Sequence, residues 1–211
     1  MNGEFGYLVP MDRALPENEI RSLIERSECE VIIYSKKYGE IMNRVKNDGI
    51  SKIKYYISMD LEKSQDDVLS MKELINDGSK LIESGDRRFL DAEIDSEKMS
   101  IMLFTSGTTS QSKAVALSHK NICTNIQDIA SMFDINTSDT FLSFLPLHHT
   151  FESTVGFLYV LYAGAAIAYC DGIKHLAENI KEYQVTAMIS VPILYENMYK
   201  KVLRGIEKKG K

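Results

Sequence analysis

Short β-branched runs alternate with helical periods along nearly the whole chain, and this alternation narrows the fold further than any other feature. GYLVP (6–10), CEVIIYS (29–35) and KIKYYISM (52–59) read as strands, with LPENEIRSLIERSE (15–28) and KKYGEIMNRVKN (36–47) between them as helices. Pro16 suits the first turn of its helix, and Ile20, Leu23 and Ile24 fall on one face. Further on, MSIMLFT (99–105), AVALS (114–118), TFLSF (140–144), AAIAYC (165–170) and VTAMISVP (185–192) read as strands. Between them HKNICTNIQDIASMF (119–133) reads as a helix with Ile122, Ile126, Ile129 and Phe133 on its apolar face. KHLAENIKEYQ (174–184) is a second helix, and PILYENMYKKVLRG is a terminal one opened by Pro192. Strands in sequence separated by helices pair in parallel, because a parallel partner needs a long crossover. The expected fold is therefore α/β, with largely parallel sheet flanked by helices. Residues 60–98 are charged and weakly patterned apart from a helix around MKELINDGSKLIES, so two lobes are expected, 1–95 with a surface excursion near 60–95, and 96–211.

Charge is unevenly spread. Residues 1–100 hold 36 of the 55 charged residues and residues 101–170 hold six. A middle so poor in charge is expected to be buried or to line a site. The net charge of −5 offers no surface for nucleic acid. Cys29, Cys123 and Cys170 are odd in number and far apart, which points to neither a disulfide framework nor a metal site but to a reducing, cytoplasmic setting. The first residues carry no basic and apolar signal segment. Ser153 to Cys170 is eighteen residues without a charge, but Gly156 and Gly164 interrupt it. It reads as a buried helix to about Ala163, a stop at Gly164 and a short strand, rather than as a membrane span.

The chemistry concentrates in Thr105-Ser106-Gly107-Thr108-Thr109-Ser110-Gln111-Ser112-Lys113, which has six hydroxyl residues in nine and directly follows an apolar strand. Small residues let backbone N–H groups approach an anion, hydroxyls add donors, and a lysine adds compact positive charge. Ser and Thr also populate ordinary turns. Against that plain reading, Lys113 is one of only two cations in residues 101–170. A Walker-A loop is excluded: from Gly107 the spacing puts Ser112 at the second glycine and Ala114 at the Mg²⁺ hydroxyl, and a strand follows Lys113 where that motif opens a helix.

Leu103 to His119 resembles the phosphate-binding signature of AMP-forming acyl-CoA synthetases, the adenylate-forming superfamily. The match covers Thr105 to Thr109, Lys113, Val115 and Ser118-His119. It departs at Ser110, Ser112 and Ala114, where Gly, Pro and Gly are usual. FLSFLPLHHTFE (141–152) is similar to the strand–LPL–x–H–x–x–E segment of the long-chain fatty acid–CoA ligases, with His149 rather than His148 in the histidine position. Weaker similarity reaches YLVPMDRALPENEIRSLIERSECEVII and VTAMISVPILYENM, so the resemblance spans nearly the whole chain.

The resemblance implies part of the large N-terminal domain of an enzyme that joins a carboxylate to the α-phosphate of ATP, releases pyrophosphate and passes the acyl group to a thiol. The substrate carboxylate is the nucleophile, so catalysis is positioning and charge stabilisation. Ser106, Gly107, Thr108, Thr109 and Ser110 are implied phosphate contacts, Lys113 the cation facing pyrophosphate, Thr105 a Mg²⁺ neighbour as well as a phosphate contact, and His149 the border of the acyl pocket. ATP, Mg²⁺ and coenzyme A are the implied cofactors. A fatty acid or other carboxylate and a CoA or carrier-protein thiol are the implied partners, with the remainder of a parent chain. No glycine-rich adenine segment, Y-G-x-T-E or T-G-D follows within these residues, so the chain is expected to be a fragment without adenylation activity that binds ATP or pyrophosphate weakly. Long-chain substrates partition into bilayers, so the parent is expected at the membrane periphery. Two other classes stay open at this point. One is an α/β interaction module with an incidental Ser/Thr loop. The other is a non-Walker nucleotide-binding protein, for which Asp128, Asp134 and Asp139 are the nearest acids, none at the C-terminal end of a strand.

Overall fold

The computed structural model describes residues 6–49, 52–105 and 112–209. The chain divides into two compact units, 1–119 and 120–211.

In the first unit, α1 (Glu17–Ser27) follows the extended Pro16, which occupies the N-cap rather than the first helical position. Its apolar face buries Ile20, Leu23 and Ile24, as the 3.6-residue period requires. The helix ends at Glu28, whose left-handed backbone closes the last turn. A parallel three-stranded sheet then forms from β1 (Val31–Tyr34), β2 (Tyr55–Ser58) and β3 (Val68–Ser70), in that order. Between β1 and β2 come a 3-10 turn (Lys36–Tyr38) and α2 (Gly39–Asn47). Ile20 and Ile24, with Tyr34, Met42, Val45 and Tyr56, form the core. Each such aliphatic side chain withdrawn from water contributes about 1.5–3 kcal/mol.

Ser70 caps α3 (Met71–Glu83) by accepting the Glu73 N–H at 3.3 Å, the serine half of a Ser-x-x-Glu capping pattern. The remaining strands of this unit, β4 (Met99–Thr105) and β5 (Lys113–Ser118), pair antiparallel. This is the departure from an otherwise parallel pattern, and it arises because only seven residues join them, too few for a crossover. The segment 6–10 is not a full strand. It makes one parallel bridge, Leu8 to Ile101, with Leu8 N–H donating to Ser100 O (2.8 Å) and Met102 N–H to Leu8 O (2.9 Å). These bonds tie β4 to the N-terminal segment within the unit that runs to His119.

In the second unit, α4 (His119–Met132) buries Ile126 and Ile129 beside Tyr159. Phe133 does not join them: the helix has ended at Met132, and the ring is 59% exposed. The Phe133 carbonyl instead accepts the Tyr159 hydroxyl at 2.7 Å. β6 (Thr140–Ser143) and β7 (Ala166–Tyr169) pair in parallel. Their connection is a helix that runs as a wide π-turn from Glu152 to Leu158 and then as α5 (Tyr159–Tyr162). Gly164, at φ +71°, stops that helix before the strand, as expected of a glycine in a left-handed position. Phe141, Val160 and Ala165 make the core here, and Leu142 is fully buried. The segment 185–191 extends β6 by a single parallel bridge, Phe141 to Ala187, rather than by a full strand. A 3-10 turn (Ile173–His175), α6 (Leu176–Glu182) and α7 (Pro192–Lys209) complete the unit. No helix among the described residues is long and apolar enough to cross a membrane.

Candidate functional site

The Ser/Thr segment is flanked by the antiparallel pair β4 and β5. Thr105 and Lys113 are direct partners across the β4–β5 ladder, so the threonine hydroxyl and the lysine ammonium belong to the two feet from which the loop departs. Both residues are exposed. The apolar strand β4, with Leu103 6% exposed, anchors this foot in the first unit. Ser106, Gly107, Thr108, Thr109 and Ser110 lie outside the described residues.

A residue unsuspected from the sequence holds the second foot. Arg26, in the last turn of α1, donates from Nη1 to Ser112 Oγ at 3.1 Å and from Nη2 to the Ser112 carbonyl at 2.5 Å. Its guanidinium stacks over the Phe104 ring, 5.1 Å from the centroid. Two donors fixed in one plane, plus the ring, orient Ser112 and so the start of β5 at Lys113. Eighty-six residues separate the partners, and no periodic pattern links them.

The histidine segment follows β6. His149 N–H donates to the Pro146 carbonyl at 2.9 Å and the His149 carbonyl accepts the Ser153 N–H at 3.0 Å, closing the turn that leads into the helix. His149 is exposed, and its Nδ1 accepts the Phe151 N–H at 3.3 Å. That bond assigns the neutral ring's proton to Nε2.

Beneath this turn lies Glu152, 1% exposed. Its Oε1 accepts the Ser143 hydroxyl at 2.6 Å, and the Phe144 N–H also donates to the carboxylate. Oε2 is buried without a partner among the described residues. Burial pushes the Glu152 carboxyl above its ordinary value, and the bonds from Ser143 and Phe144 offset only part of that rise. Gly156 makes room for it: a Cβ there would lie 2.7–2.8 Å from the carboxyl atoms. The sequence does carry a trace of this arrangement. Glu152 is the single charged residue between Asp139 and Asp171, and a lone acid in an apolar run belongs inside, against polar partners.

Asp128, Asp134 and Asp139 gather into no site. Asp139 accepts the Thr186 hydroxyl (2.7 Å) and the Asn136 N–H (2.9 Å), which stabilise its charged form and hold its carboxyl below the ordinary value. Among the described residues no three His, Cys, Asp or Glu side chains come together as a metal site.

The family model described as AMP-binding enzyme matches residues 6–210. The chain belongs to the AMP-binding enzyme family. Among curated members, a chloroplastic long-chain-fatty-acid–[acyl-carrier-protein] ligase of Arabidopsis thaliana is 31% identical over 202 residues, covering 89% of this chain and 27% of the relative. A long-chain-fatty-acid–CoA ligase of Rattus norvegicus is 28% identical over 208 residues, covering 92% and 30%. The chain thus spans less than a third of the length of these two AMP-binding enzymes. Solved structures share its fold. An anthranilate CoA ligase in complex with anthranoyl-AMP gives a TM-score of 0.75 at 17% identity, over 90% of this chain and 36% of that one. A fatty acyl CoA synthetase of Mycobacterium tuberculosis gives 0.67 at 17%, over 89% and 34%.

Proposed function

We propose that the chain is the phosphate-binding portion of an acid–thiol ligase that activates a carboxylate as its acyl-adenylate with ATP and passes the acyl group to CoA or a carrier-protein thiol. The observation that carries this reading is the β4–β5 hairpin: an exposed lysine directly opposite a threonine, at the feet of a Ser/Thr-rich loop. A small ammonium and hydroxyl donors at one strand end suit the oxygens of a polyphosphate. The names of the two curated relatives, both long-chain fatty acid ligases, favour a long-chain acid as substrate.

In this reading Lys113 offsets the charge of the departing pyrophosphate, and Ser106, Gly107, Thr108, Thr109 and Ser110 donate to the β- and γ-phosphate oxygens. Thr105 offers one neutral oxygen to Mg²⁺, an ion that otherwise keeps water and phosphate ligands. ATP supplies the electrophilic phosphorus, and the chain's own residues bind and orient it. His149, with its ring proton on Nε2, borders the acyl pocket. Arg26 keeps the Lys113 foot in register through Ser112. The isolated chain binds Mg·ATP or pyrophosphate weakly and forms no acyl-adenylate. The parent works in the cytoplasm, at the membrane periphery where long-chain acids partition.

Calorimetric titration of the 211-residue chain with pyrophosphate and with Mg·ATP tests this. Binding to the unsubstituted 211-residue chain that falls about tenfold in Lys113→Ala, the loss of one charge-assisted contact, is the expected outcome. Equal affinity in both, or no binding to either, overturns the role of the hairpin. Fatty-acid-dependent ATP–pyrophosphate exchange by the chain overturns its inactivity.

A further inference from the structure

We propose that Glu152 is the positioning residue of the His149 turn: its sealed carboxyl fastens the end of β6 and so sets the direction in which the His149 imidazole is presented. The chain leaves β6 at Ser143, passes His149 and re-enters at Glu152, where the Glu152 side chain bonds back to Ser143 Oγ at 2.6 Å and to the Phe144 N–H. The segment is therefore a ring closed by one side chain. Within the ring, His149 contributes its N–H, its carbonyl and its Nδ1 to the turn, so rotation of the turn rotates the imidazole.

Three observations separate an anchor from a filler. The carboxyl works as an acceptor on one oxygen while the other has no partner among the described residues. The opposing position, Gly156, has no side chain, and any Cβ would strike the carboxyl. The residue heads a π-turn, a wider helical turn that recurs at functional sites. The polar groups facing the carboxyl are the Ser143 hydroxyl and the Phe144 N–H, neither of which titrates in the working range. Burial with no donor to the second oxygen favours the neutral acid, and a neutral acid accepts through its carbonyl oxygen as an amide does. An amide is thus its functional equivalent, and a hydrocarbon of the same volume is not.

The functional weight of this anchor rests on the reading of His149 above. Its test does not, because it needs neither nucleotide nor substrate. In the 211-residue chain, imidazole NMR resonances assigned by comparison with His149→Asn report the ring directly. Glu152→Gln is expected to leave the His149 ring resonances in place. Glu152→Met, which fills the space but accepts nothing, is expected to displace them by more than a line width. Ser143→Ala, which removes the donor and leaves the carboxyl, is expected to displace them in the same sense. pH supplies an independent readout. A folded-state value raised above the unfolded one gives stability that is complete below the unfolded value and is lost as pH rises through the folded one. The thermal midpoint of the unsubstituted chain should therefore fall relative to that of Glu152→Gln as pH rises from the carboxylate range upward, the other carboxyls contributing alike to both. An unmoved His149 ring in Glu152→Met overturns the proposal, as does a Gln variant that moves it as far as Met does. If the Met variant does not fold, an unmoved ring in Ser143→Ala overturns it instead.

Discussion

The hairpin foot at Lys113 and the turn at His149 each present one nitrogen-bearing side chain to solvent, and they are held by opposite means. At the foot, a half-buried guanidinium reaches across 86 residues of sequence and grips a serine from outside. At the turn, an acid nine residues from its partner is sealed beneath the backbone it holds. A clamp at the surface can be lost at modest cost, because water replaces its bonds. A sealed acid has no such substitute. The difference is one of brittleness, and it can be tested by breaking each support in turn.

The largest loss is expected for Gly156→Ala. The new methyl displaces the Glu152 carboxyl, and the broken bonds and overpacking should cost about 2–4 kcal/mol, read as the shift in urea unfolding. Gly205, in α7, meets nothing within 4 Å, and Gly205→Ala serves as the control. A loss at Gly205 as large as that at Gly156 would remove the comparison. Arg26→Ala comes next, with an expected loss of about 1–2 kcal/mol for two charge-assisted bonds at a half-buried site. Arg26→Lys should recover little, because an ammonium lacks the planar fork. Full recovery would reduce Arg26 to a simple charge. Gly205→Ala itself should gain up to about 1 kcal/mol from helix propensity alone. Smallest of all, Lys113→Ala should leave stability within about 0.5 kcal/mol while lowering pyrophosphate affinity. A destabilised Lys113→Ala would mean the lysine supports the hairpin instead of a ligand.

Where a periodic pattern carried the information, the sequence was readable. The face of α1, the helix stop at Gly164 and the order of strands and helices all follow from spacing and from the special backbone of glycine. Pairing direction was not readable in the same way. β4 and β5 look like the other strands, and their antiparallel arrangement depends on loop length rather than residue type. Segments 6–10 and 185–191 have strand composition yet make one bridge each, since a strand needs a neighbour as well as a propensity. β3 is three residues long in charged surroundings and left no pattern to find. Of the candidate site, Thr105 and Lys113 were legible as chemistry and became geometry only through their register. The Arg26 clamp had no local signal. Glu152 stood in plain view as a lone acid in an apolar run, and its bond to Ser143 gives that isolation a cause.

The two units are each continuous in sequence, and the first closes at His119 before the second begins. On the ribosome, every strand partner within residues 1–119 has been made before α4 is complete. At about 5–20 residues per second, synthesis of the remaining residues occupies seconds, long against the formation of short-range helices and hairpins. The β4–β5 hairpin, with its foot at Lys113, therefore has time to pair during synthesis, ahead of the segment that carries His149.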